Sequence, residues 1–189
     1  MILSSLRRAI PYRRNVMMVL LLSNSMYMIA MNRNMSVYLQ HGVLVPDASM
    51  KGYSPKEALE WYTAIGSQGR MIYVILAMMD LLFIIPSYTC LFGSQLIATI
   101  RHSNCKTKVQ CYYDTIYVVP IITMIFDIME TSTHARACFF YPILPSTTMI
   151  VFASAATGFK FAGLFLSLVL IGWFWIWHPS PVADKNKKQ

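Results

Sequence analysis

Acidic residues are scarce in this chain, and none occurs before Asp47. Only 13% of the 189 residues are charged, against about 25% in soluble globular domains. Too little polar surface is left to cover a soluble fold of this length. Gly-rich phosphate loops, a nucleophile elbow and His pairs at haem-ligand spacing are also missing. The four cysteines, Cys90, Cys105, Cys111 and Cys138, form no C-x-x-C pair, and their spacing fits neither a zinc site nor a redox motif. A bridge between Cys105 and Cys111, which share one short loop, is open; free or buried thiols are the simpler reading. Nothing in the sequence calls for a cofactor or a metal.

What the chain has in abundance is apolar length: 56% of it is hydrophobic. Four runs are long enough to cross a bilayer, at about 20 residues per span. They cover 16–31, 71–100, 112–133 and 148–177, and predict an all-α integral membrane four-helix bundle. Residues 1–15 form a basic N-terminal segment and 178–189 a basic tail. Pro86 and Pro120 are expected to kink the second and third spans. The fourth ends in Trp173-Phe174-Trp175-Ile176-Trp177, an aromatic belt suited to the headgroup level. The first run is followed by Asn32-Arg33-Asn34, not by a small-residue cleavage site, which argues for a span over a secretory signal.

Between the first two spans lies a polar stretch with one amphipathic helix, about 55–65. Ser54 caps it, Pro55 takes the first position, Glu57 closes the capping box and Gly66 ends it. Ala58, Trp61, Tyr62 and Ile65 recur on one face. That face is expected against the membrane surface or the bundle; a partner protein is the alternative.

The net charge of +8 is placed asymmetrically. The N-terminal segment, the 101–111 loop and the tail hold ten Lys and Arg, against five on the other side (Arg33, Lys51, Lys56, Arg70 and Arg136). The bias puts both termini inside, in matrix or cytoplasm, which suits an even number of spans. Basic flanks of this kind meet anionic phospholipids, and no motif for nucleic acid accompanies them. The Arg-rich, acid-free N-terminus fits a mitochondrial import signal; the endoplasmic reticulum is the alternative address.

Ionisable groups inside spans are costly and therefore informative. Asp80, Asp127, Glu130 and Lys160 are such groups. Helix rise puts Asp80 roughly 15 Å below Arg70, and Lys160 at a similar depth in its own span. Asp127, Glu130 and His134, spaced three and four apart, share a face. Arg70, Asp80, Asp127, Glu130, His134 and Lys160 thus make one candidate cluster. It is either a polar pocket for an ion, a headgroup or a proton, or a buried network fixing helix register. Glu130 and His134 are one residue too far apart for the Glu-x-x-His of di-iron bundles. His41, His102 and His178 fall near span ends, and the fourteen Met residues read as adaptable packing.

The stretch Ala64-Ile65-Gly66-Ser67-Gln68-Gly69-Arg70-Met71-Ile72-Tyr73 precedes Asp80-Leu81-Leu82-Phe83, Pro86 and Tyr88. Asp127-Ile128-Met129-Glu130, Tyr141-Pro142 and Lys160 follow. Together they resemble a family of uncharacterised four-helix membrane proteins with the pattern G-x-x-G-R-x-x-Y, D-x-x-F-P, D-x-x-E-N, Tyr-Pro and a late Lys. Ile84 and Thr131 depart from it. The resemblance implies the four-helix fold and weight on Arg70, Asp80, Asp127, Glu130 and Lys160; it implies no reaction.

Three functions are consistent with these features. The leading expectation is a non-catalytic accessory subunit of a respiratory-chain or ATP-synthase assembly in the mitochondrial inner membrane, with other membrane subunits as partners. A small transporter or a lipid- or sterol-binding protein using the charge cluster is the alternative. An enzyme on lipid headgroups, with Asp127 or Glu130 as base, ranks last.

Overall fold

The computed structural model describes residues 19, 22–27, 29, 33, 45–46, 49–102 and 118–177. The basic N-terminal segment, most of the 16–31 span, the 103–117 stretch with Cys105 and Cys111, and the tail lie outside the described residues. What is described is all-helical, and no strand occurs in it.

Helix α1 (Pro55–Ala64) begins as the sequence predicts. Glu57 N–H donates to Ser54 Oγ at 3.2 Å, and Ser54 N–H donates to Glu57 Oε2 at 2.6 Å. Two of the unpaired donors of the first turn are satisfied in this way. Gly66 does end α1, in a left-handed conformation (φ 64°) that a side chain would oppose. The same residue starts α2 (Gly66–Met79), so the two helices join with no linker. The helix expected from Met71 therefore begins five residues earlier. Ser67, Gln68 and Arg70 in its first turns are polar and hide that start from an apolar count.

After α2 the chain widens into one π-turn, Asp80–Ile84, in which Ile85 N–H reaches back to the Asp80 carbonyl. Helix α3 (Ile85–His102) follows directly. Pro86 lacks an N–H, and its ring would strike the carbonyl of the preceding turn in a regular helix. The wide turn just ahead of it relieves that clash, and the helix continues. Helix α4 (Val118–Phe139) runs past the expected end at Thr133, because His134, Ala137 and Cys138 are buried against α1 and α2. Helix α5 (Thr147–Trp177) is 31 residues long.

Two continuous helical runs are long and apolar enough to cross a membrane: Gly66–Ile97, through α2, the π-turn and α3, and Thr147–Trp173 in α5. Their outward faces are apolar, with Ile75, Leu82 and Phe83 on one and Phe152, Phe159 and Phe165 on the other exposed.

Helices α4 and α5 form the most extensive pair. Gly163 permits the approach, since a Cβ there would collide with Thr123 Oγ1. At one end of the bundle, α1 lays Ala58, Trp61, Tyr62 and Ile65 into the core, all buried. Trp61 meets Tyr73 edge-on at 4.9 Å between centroids. The apolar face of α1 is thus turned into the bundle, one of the two alternatives the sequence leaves open. Gly52 (φ 77°) brings the preceding loop onto α5, where Tyr53 N–H donates to Ser154 Oγ at 2.8 Å. Residues 22–27 are helical and dock on the bundle through Tyr27, whose hydroxyl donates to the Leu76 carbonyl at 2.9 Å.

Candidate functional site

Beside the apolar core, a stripe of polar side chains runs through the interior of the bundle. Along α4 the buried positions include Thr123, Asp127, Glu130, Thr131 and His134, spaced three and four apart. Along α5 they include Thr157, Lys160 and Ser167, with the small Ala153 and Ala156 just before Thr157 and Gly163 between Lys160 and Ser167. The two polar stripes face each other.

Lys160 Nζ lies 2.6 Å from Glu130 Oε2 and 3.1 Å from Asp127 Oδ1. No side chain of the three is more than 10% exposed. The outer oxygens of both carboxylates are also engaged. Thr157 donates to Glu130 Oε1, and Tyr88 donates to Asp127 Oδ2 at 2.6 Å. Trp61 Nε1 is buried with no hydrogen-bond partner among the described atoms.

One turn along α4 from Glu130, His134 is fully buried between two tyrosines. Tyr53 Oη is 2.6 Å from Nε2 and Tyr62 Oη is 2.6 Å from Nδ1. Both ring nitrogens are thereby satisfied, one as donor and one as acceptor in the neutral form. Tyr53 and Tyr62 arrive from the loop and from α1, so the imidazole ties α1 to α4.

The expected cluster is therefore assembled in most of its parts. Lys160 reaches both Asp127 and Glu130, and His134 shares their face. Asp80 opens the π-turn half-buried. Arg70 goes elsewhere. Its guanidinium donates to the Tyr62 carbonyl at 2.8 Å and lies 3.9 Å from the centroid of the Tyr141 ring. It clasps the α1–α2 corner to the α4–α5 loop and does not complete the carboxylate pair. The tyrosine clamp on His134 and the Thr157 bond were not among the sequence expectations. Thr157 stands one turn from Lys160, and Tyr62 lies on the marked face of α1, so a signal for both was present.

Among the described residues, no group of three or more His, Cys, Asp or Glu is arranged to hold a metal ion. Cys90 is half-buried and Cys138 is buried. Compared with known families, with curated proteins and with solved structures, the chain matches none.

Proposed function

We propose that the chain is a four-helix integral membrane protein acting as a non-catalytic subunit of a larger membrane assembly. Its host would be a respiratory-chain or ATP-synthase complex of the mitochondrial inner membrane, with both termini in the matrix. The observation that carries this reading is the inversion of polarity. Lys160, Asp127, Glu130, Thr157 and Tyr88 bond one another inside, whereas large apolar side chains such as Ile75, Phe83, Ile125, Phe152 and Phe159 face outward. Such a chain meets its surroundings through apolar helix faces, as membrane helices meet lipid and neighbouring subunits.

Helix α4 supports membrane burial although it is not one of the two apolar helices. Its mean hydropathy is lowered by Asp127, Glu130 and His134, which face inward, while Ile122, Ile125, Ile128 and Met129 face out. The helical 22–27 segment, docked through Tyr27, supplies a further element for a four-helix count. The basic, acid-free N-terminus supports the mitochondrial address. Extraction of the native membrane in mild detergent tests the reading. The chain should migrate with a complex far larger than its own 21.6 kDa; migration alone would end the proposal.

A second reading, a small transporter or lipid-binding protein, is favoured by one observation: two carboxylates share a single ammonium.

A further inference from the structure

We propose that Arg70 is the recognition point for the phosphate of an anionic phospholipid, bound where α1, α2 and the α4–α5 loop meet. The inference rests on the reading of the bundle as membrane-embedded, and on no claim about its host complex.

The charge at this corner is unbalanced. Arg70 is half-buried, and among the described residues its guanidinium meets a carbonyl and a ring but no carboxylate. One N–H donates to the Tyr62 carbonyl at 2.8 Å, and the Tyr141 ring centroid lies 3.9 Å away. Neither contact cancels the positive charge. Both supports are themselves held: Tyr62 is fully buried, and Tyr141 Oη lies 3.3 Å from Thr63 Oγ1. A guanidinium carries five donors in a planar fork. With one donor used and one face on a ring, it keeps further N–H groups in its plane, and a phosphate accepts two of them side by side. Ser67, exposed on α2 three residues earlier, shares a helix face with Arg70 and adds a hydroxyl.

Depth and surroundings select a lipid phosphate. The apolar run Gly66–Ile97 has its middle near Leu81. Arg70 stands about 17 Å of helix rise before Leu81, and half of a hydrocarbon core is about 15 Å. In a bilayer that puts the guanidinium at the headgroup boundary, where phospholipid phosphates lie. The turn that carries Tyr141 also exposes Phe139, Phe140 and Ile143. A phosphate with acyl chains attached meets the cation and covers apolar surface beside it, whereas a free anion meets the cation alone.

Native mass spectrometry of the purified full-length chain in an uncharged detergent tests this, with phosphatidylglycerol, phosphatidylcholine or inorganic phosphate added. One phosphatidylglycerol per chain should be retained, in preference to phosphatidylcholine. Arg70→Gln should weaken that binding by about tenfold or more, the worth of a charge-assisted hydrogen bond. Because Arg70 also clasps the corner, Ser67→Glu gives a second test that leaves the clasp in place. It sets a carboxylate one turn from the guanidinium and should displace the lipid, while the uncharged Ser67→Gln should bind as the unaltered chain does. If Arg70→Gln fails to fold by circular dichroism, the Ser67 pair still decides. Equal retention of phosphatidylcholine, binding of inorganic phosphate without the lipid, or retention unchanged by Ser67→Glu would each overturn the proposal. So would a Ser67→Glu change that spares the lipid and loosens the native complex, which would assign Arg70 to an acidic partner chain. A chain that migrates alone in native extracts would end the subunit reading and leave this result standing.

Discussion

Lys160 on α5 stands closer to Glu130, at 2.6 Å, than to Asp127, at 3.1 Å, and so bridges the two carboxylates. Both carboxylates are paired with the same ammonium. Removing one partner of a buried ion pair costs about 3–5 kcal/mol, because the other charge is left uncompensated. Lys160→Met should destabilise the bundle by that order, measured by thermal denaturation in detergent. The triple change Lys160→Met, Asp127→Asn, Glu130→Gln should recover most of the loss. Equal losses in the single and triple variants would show that shape, and not charge, matters at this position.

The His134 clamp should behave as one unit. Tyr62→Phe leaves the buried Nδ1 unsatisfied at about 1–3 kcal/mol, and Tyr53→Phe does the same to Nε2. Because both hydroxyls act through one ring, the double variant should cost less than the sum of the singles. Strict additivity in denaturation experiments would mean that the two tyrosines act independently.

Much of this was legible in the sequence, for identifiable reasons. Ser54, Pro55 and Glu57 announce α1 because a capping box is local, and the structure reproduces both of its bonds. Asp127, Glu130 and Lys160 stand out because ionised groups are rare in apolar runs. Arg70 was misplaced because depth along a helix says nothing about direction around it. Its helix carries it to the α1–α2 corner, where the Tyr62 carbonyl and the Tyr141 ring are nearer. The π-turn was equally hidden. Pro86 signals a disturbance, but whether a helix kinks or widens is decided by packing around it.

The corner itself makes a separate prediction. Gly66 is left-handed with open space around its missing Cβ, so Gly66→Ala should cost only the backbone penalty, about 1–2 kcal/mol. At Gly52, also left-handed, a Cβ would lie 2.8 Å from Ser154 Oγ. Gly52→Ala should therefore be the worse substitution, and its effect should include loss of the Tyr53–Ser154 bond. A reversed order in melting temperature would contradict the loop geometry.

The capping box gives α1 a pH dependence. Hydrogen bonds from the backbone and side chain of Ser54 hold the Glu57 carboxyl below its ordinary value of 4.5. A folded-state value below the unfolded one means the stabilisation is present above 4.5 and is lost as pH falls through the lower, folded value. Amide exchange in the first turn of α1 should accelerate under acid, beyond the intrinsic pH trend. Glu57→Gln should remove that acid-dependent component, and its persistence would point to another group.

The proposed membrane bundle keeps its charged side chains within and turns its apolar faces to lipid, and α4 is where this is most exposed to refutation. Spin labels placed singly at Ile122, Ile125 and Phe159 on a cysteine-free background report their solvent through collisions with oxygen or with a water-soluble nickel complex. All three should favour oxygen strongly, as lipid-facing positions do, with Thr131 and Thr157 labels shielded from both agents. Free access of the nickel complex to Ile122 and Ile125 would show α4 facing water, and the membrane bundle would have to be abandoned.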